Sequence, residues 1–110
     1  MEIEPINADE SKLIARRLRV IRTLVSGENQ AAFARMLGIF PNRWNNFERG
    51  SPLTLRVAFL LVKTVDGLSV SYITHGKTGD LPKELRRQLA ALEAELFPLS
   101  SSRSKRSPKT

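Results

Sequence analysis

The 110-residue chain contains no cysteine, which excludes disulfide bonds, thiolate nucleophiles and thiolate metal sites. It has one histidine, His75, and no glycine-rich loop of the kind that binds phosphate after a strand, so the common catalytic groupings are missing. No apolar run reaches the roughly 18 residues of a membrane span, and the N-terminal sequence MEIEPINADE is acidic, unlike a secretory signal. We therefore expect a soluble, cytoplasmic protein that is not an enzyme and needs no metal or cofactor.

Acidic residues are sparse in the part of the chain where basic residues are most frequent. Residues 1–11 carry four acids and no base, whereas residues 12–49 carry eight bases and only two acids. Residues 98–110 add four more bases and no acid, within a net charge of +7 for the whole chain. A polyanion-binding surface needs such a concentration of positive charge, whereas charge that serves only solubility would be mixed more evenly.

Apolar residues at helical spacing predict an all-α protein of six helices. Capping residues and helix breakers place the six helices at about 8–25, 30–37, 41–50, 55–65, 70–75 and 80–97. The buried stripe of the first helix is predicted to consist of Ile14, Leu18, Ile21 and Val25. The fourth helix is apolar almost all round from 57 to 62, which predicts that it is the buried central helix.

The second and third helices form the most informative segment, residues 30–50, with the sequence QAAFARMLGIFPNRWNNFERG. Ala34 is small where two short helices must cross, and Gly38 permits the positive φ of a sharp turn. The faces that the two helices share are apolar: Phe33, Leu37, Ile39, Trp44 and Phe47. Polar residues face outward from the third helix: Asn42, Arg43, Asn45 and Asn46. This pattern predicts a helix-turn-helix that binds in a DNA major groove, the alternative being a helical hairpin of an ordinary bundle.

The outward residues of the third helix have side chains suited to contacts with DNA. Asn42 and Asn46 are four residues apart and share one helix face, and each amide carries the donor and acceptor that match an adenine edge. The alternative for both is a solvated polar face. Arg43 is expected to contact a phosphate in preference to a guanine. Further phosphate contacts are predicted for Arg16, Arg19 and Arg35.

Five helices in this order, with the helix-turn-helix at the second and third, resemble the Cro and phage-repressor (XRE-type) regulators. The resemblance covers about residues 13–76 and is most specific at 30–37, at Gly38-Ile39 and at the FERG ending, 47–50. It implies a five-helix lambda-repressor-like DNA-binding domain, here with an extra C-terminal helix and a basic tail.

The resemblance also implies roles for single residues. Gln30 would hydrogen-bond DNA, and the base edges would be contacted by Pro41, Asn42 and Asn46. Phosphates would be held by Arg43, Asn45 and Arg49. An arginine of the first helix commonly pairs with the glutamate that ends the third, which implies a structural ion pair between Arg22 and Glu48.

The chain departs from this family at three places. Phe40 stands where a serine or threonine usually caps the third helix and contacts a phosphate. Trp44 replaces a smaller aliphatic residue, and we expect it to thicken the core rather than stack on DNA. The loop between the first two helices is one residue longer than usual.

The sixth helix carries a leucine stripe, defined as Leu85, Leu89, Leu92 and Leu96. A helix of about 18 residues is marginal alone, so the stripe must pack on its own domain or pair with a second copy. We favour the homodimer, because one short recognition helix touches too few base pairs for useful specificity.

The sequence thus predicts a flexible acidic N-terminus at 1–7, a DNA-binding domain at 8–76, a possible dimerisation helix at 80–97 and a disordered basic tail at 98–110. The basic tail is suited to following phosphates or reaching a minor groove, the alternative being that it only aids solubility. The expected function is transcriptional regulation, as a repressor that binds double-stranded operator DNA as a homodimer. Two alternatives remain: an antitoxin that also binds a small protein partner, or a protein-interaction module that does not bind DNA.

Overall fold

The computed structural model describes residues 8–98, and this part of the chain contains six α-helices and no strand. The helices are α1 (Ala8–Ser26), α2 (Gln30–Leu37), α3 (Pro41–Glu48), α4 (Leu55–Thr64), α5 (Val70–His75) and α6 (Lys83–Leu96). The all-α prediction is therefore confirmed. The predicted flexible N-terminus at 1–7 and the predicted disorder of nearly all of the tail lie outside the described residues.

Local capping explains where α2, α4 and α5 begin. The side chains of Asn29, Thr54 and Ser69 each accept a hydrogen bond from the backbone N–H three residues later, at 2.9, 3.2 and 3.1 Å. Gly38 ends α2 in the left-handed conformation at φ 77°, as predicted, and the next N–H, of Ile39, donates to the carbonyl of Ala34. The bonds at Asn29 and Gly38 thus define both ends of α2, the first helix of the predicted helix-turn-helix.

The core is built around α1, which contacts α2, α3, α5 and α6. Its buried side chains are Ile14, Ala15, Leu18, Val20, Ile21 and Arg22. Val25 lies in the last turn of α1 and is 39% exposed, so the prediction that it belongs to the buried stripe is wrong. Because α1 has neighbours on several sides, it buries more of its circumference than a single apolar stripe.

The prediction that α4 is the buried central helix is wrong. Val57, Ala58 and Leu61 are buried, but Leu55 and Phe59 are 65% and 56% exposed. The backbone of α4 comes close to α2 and α5 but not to α1. An apolar run shows which side chains would gain from burial. Whether each face of the helix is covered depends on which other elements pack against it.

The structure decides between the two alternatives for the leucine stripe, because α6 packs on α1 of the same chain. Leu85 and Leu89 are 8% and 2% exposed, while Leu92 and Leu96 are partly buried against the same core. The assignment of the stripe to a dimer interface is thus corrected. A helix tethered by a short connection meets its own domain more readily than a second copy.

The connection before α6 explains this docking and shifts the start of the helix. Leu81 is buried and anchors the chain, and Pro82 is extended at ψ 147°, so α6 begins at Lys83 rather than at Asp80 as predicted. Pro82 lies so close to Gly67 that a Cβ on that glycine would come within 2.9 Å of the proline ring.

Within residues 8–98, no helix is both long enough and apolar enough to cross a membrane.

Candidate nucleic-acid interface

The inner faces of α2 and α3 form a closely packed unit across the turn at 38–40. Phe33, Ala34 and Trp44 are completely buried, and the rings of Phe33 and Trp44 meet edge to face with centroids 5.1 Å apart. Leu37, Ile39 and Phe47 are buried around them. Trp44 thus belongs to the core, as predicted, and its ring is not available to stack on DNA.

The outer face of α3 carries exposed polar side chains. Asn42, Arg43 and Asn46 are exposed, and the two asparagine amides have no hydrogen-bond partner among the described residues. The guanidinium of Arg43 lies 5.5 Å from the centre of the Phe47 ring, which leaves its N–H groups accessible. Gln30, Pro41 and Asn45 are half-buried. The solvent-facing side of α3 therefore consists of Asn42, Arg43 and Asn46, flanked by residues with less exposure.

The C-terminal end of α3 is held by a buried ion pair. Arg22 donates to both carboxylate oxygens of Glu48, from Nε at 3.0 Å and from Nη2 at 2.9 Å, and both side chains are at most 10% exposed. Trp44 Nε1 also donates to Glu48, and Arg22 Nη1 donates to the carbonyl of Gly27 at 2.7 Å. The hydrogen bond to Glu48 raises the pKa of Arg22 above its ordinary value. The structure thus brings Arg22 and Glu48 together, and the longer loop supplies a further acceptor.

The N-terminal end of α3 is open by contrast. Phe40 occupies the capping position in an extended conformation, makes no side-chain cap and is 79% exposed. Its carbonyl accepts from the N–H groups of Arg43 and Trp44, both at 3.0 Å. Pro41 follows as the first residue of the helix, where its missing N–H costs little.

Two basic regions lie at opposite ends of α3. At the N-terminal end, Arg35 is exposed beside Phe40. At the C-terminal end, one groove is lined by four basic side chains, together with Glu48 and Phe97, and these basic residues are Lys12, Arg16, Arg19 and Arg49. Positive charge therefore lies at both ends of α3, one cation at the N-terminal end and four at the C-terminal end.

Two aromatic residues of this region were not assigned a role by the sequence patterns. Phe97 lies under the guanidinium groups of Arg16 and Arg19, whose carbons are 4.5 and 5.5 Å from its ring centre. No local signal could place Phe97 there, because α1 and the end of α6 are far apart in sequence. Phe40 did carry a signal, since a large apolar residue stands where a polar helix cap is common.

The described part of the chain, residues 8–98, contains no group of three histidine, aspartate or glutamate side chains placed to hold a metal ion. None of the family models, curated proteins or solved structures with which the chain was compared matches it.

Proposed function

We propose that this protein is a sequence-specific DNA-binding regulator of transcription with a lambda-repressor-like domain. The observation that carries the proposal is the two-sided character of α3. Trp44 and Phe47 hold one side in the core, while Asn42 and Asn46 expose on the other side amides that have no hydrogen-bond partner within residues 8–98. A rigid helix with free donors and acceptors one turn apart meets the geometric requirement for binding in a major groove.

The role of each residue in the proposed complex with DNA follows from its side-chain chemistry. The amides of Asn42 and Asn46 each pair with an adenine edge, with help from Gln30 and Pro41 at the helix ends. Cations on both sides of α3 neutralise phosphates and set the register of the helix without reading sequence. These cations are Arg16, Arg19, Arg35, Arg43 and Arg49, with Asn45 as a neutral phosphate contact. Occupancy of an operator by this surface represses transcription by blocking the polymerase.

We further propose that the protein binds a palindromic operator as a homodimer. One α3 contacts only a few base pairs, and a twofold pair of domains would read two half-sites about one DNA turn apart. Because the leucine stripe is covered by α1, the pairing must use another surface of the molecule.

The first experiment is a fluorescence-anisotropy titration with DNA from upstream of the protein's own gene and with a shuffled control. Between about 50 and 200 mM salt, six to ten phosphate contacts should weaken binding by roughly 10³- to 10⁵-fold. We expect that steep dependence together with a preference for the native fragment. Equal, salt-steep affinity for both fragments would mean that the operator lies elsewhere. The absence of salt-sensitive affinity for either fragment would contradict the proposal and favour a protein-interaction module.

A pair of variants separates base recognition from phosphate binding. Asn46→Ala should lower the preference for the operator over shuffled DNA by roughly 5- to 150-fold, the range for one bidentate base contact. Arg19→Ala should weaken binding to both DNAs alike and reduce the salt slope by about one. Both residues are exposed, so the fold should be unaffected.

Arg87→Ala is the matched control for these variants. Arg87 is exposed on α6, and α6 has no element contact with α2 or α3. This variant should bind both DNAs as the wild type does. If Asn46→Ala lost affinity equally for operator and shuffled DNA, the assignment of base recognition to that residue would be wrong.

A further inference from the structure

We infer that Phe40 recognises the methyl group of a thymine, so that each operator half-site includes a thymine close to the base pair that Asn42 contacts. The inference rests on the proposed function, because it requires the N-terminal end of α3 to lie in a major groove. It adds a specificity-determining residue that cannot hydrogen-bond with a base and that departs from the residue types usual at a helix cap.

The exposure of Phe40 is the first observation. At 79% it is the most exposed large apolar side chain among residues 9–98. Its backbone is nevertheless well held, because its carbonyl accepts two hydrogen bonds from α3 and Pro41 restricts the following φ. The ring therefore projects from a well-held backbone at the N-terminal end of α3. An exposed aromatic side chain on a backbone held in this way is suited to burial against a partner.

The surroundings of the ring indicate what kind of partner fits. Arg35, Gly38, Ile39, Phe40 and Pro41 line an open groove of about 390 Å³. The groove has one cation, no carboxylate and an otherwise apolar or backbone surface. A nucleic acid matches this combination, since its phosphates would meet Arg35 while an apolar group of a base meets the ring.

The chemistry of the major groove narrows this contact to one base. Base edges in that groove present hydrogen-bond donors and acceptors, with the 5-methyl group of thymine as the apolar exception. A phenyl ring has no donor or acceptor to offer a phosphate oxygen or a polar base edge. Contact with a thymine methyl removes apolar surface of both groups from water and leaves no polar group unpaired.

The test removes the methyl group from the DNA and the ring from the protein, singly and together. A binding site is first selected from a random duplex library with the full-length wild-type protein. Each thymine of that site is then replaced by uracil, which lacks only the methyl group, and affinities are measured by anisotropy. For the wild type we expect one position per half-site at which uracil weakens binding about fourfold, the value of one buried methyl-sized group.

Three variants complete the experiment. Phe40→Ala should bind the thymine and uracil sites equally, whereas Phe40→Leu should keep a preference for thymine because its side chain remains apolar. Met36→Ala is the matched control, since Met36 is also exposed, at 53%, but does not line the groove. It should retain the wild-type preference. Unchanged circular dichroism and thermal midpoints would verify that all three variants are folded.

The outcomes that overturn the inference differ from those that overturn the proposed function. Suppose that the wild type binds its selected site and yet loses no more affinity than Phe40→Ala does at every thymine replaced by uracil. In that case the inference is wrong and DNA recognition stands. The same conclusion follows if Phe40→Ala weakens binding yet keeps the wild-type thymine preference, because the ring would then act on another group. If the wild type selects no site and shows no salt-dependent affinity, both proposals are wrong.

Discussion

Replacing Glu48 with alanine is expected to lower the free energy of unfolding by about 3–5 kcal/mol, the usual cost of removing one partner of a buried ion pair. Arg22 would keep its charge at 8% exposure and lose both hydrogen bonds to the carboxylate. Trp44 Nε1, in a fully buried side chain, would lose its acceptor at the same time. Because these groups join α1 to the end of α3, the loss should affect the whole cooperative unit.

The chain offers a matched control in its exposed ion pair. Arg87 donates to Glu84 at 2.6 Å, but the two side chains are 76% and 63% exposed, and such pairs contribute at most about 1 kcal/mol. Urea denaturation of Glu48→Ala and Glu84→Ala should therefore give very different midpoints with similar slopes. A loss below about 1 kcal/mol for Glu48→Ala would show that the buried pair does not stabilise the fold as its geometry predicts.

The second large effect is expected at Leu89. The change Leu89→Ala should lower the free energy of unfolding by about 2–5 kcal/mol. The Leu89 side chain is 2% exposed between α6 and α1, so its truncation leaves a cavity. Gln88→Ala, at the exposed position beside it, should change stability by less than about 0.5 kcal/mol. Thermal unfolding followed by circular dichroism measures both values.

The concentration dependence of this result tests where the leucine stripe packs. If α6 packs on its own chain, the difference between the wild-type and Leu89→Ala midpoints should be the same at every protein concentration. Sedimentation should give both proteins the same oligomeric state. Conversion of a wild-type dimer into a folded monomer by Leu89→Ala would refute the intramolecular packing and restore the stripe as a dimer interface.

Local chemistry explains why much of the fold could be predicted. Asn29, Thr54 and Ser69 cap their helices through backbone groups three residues away, and Gly38 adopts its positive φ within the turn itself. Such interactions depend on neighbours in sequence, so the pattern of residues reveals them. The burial of Phe33, Ala34, Trp44 and the other apolar positions of the helix-turn-helix followed for the same reason.

The wrong predictions concern which neighbours cover a helix. Val25 continues the apolar spacing of α1 but lies in its last turn, where it remains 39% exposed. Phe59 belongs to an apolar run that extends all round α4, yet no described element covers that side. Periodicity identifies a face that gains from burial, whereas the number and position of its neighbours depend on how six helices pack together.

In the candidate site, too, local patterns predict some features while others depend on how the helices pack. The residue pattern alone predicts that α3 has an apolar side and a polar side, because a period of 3.6 residues assigns each residue to a face. The positions of Phe97 under Arg16 and Arg19 and of the leucine stripe against α1, by contrast, depend on tertiary packing. Those contacts join elements distant in sequence, and their free energy depends on the arrangement of the whole core rather than on any local pattern.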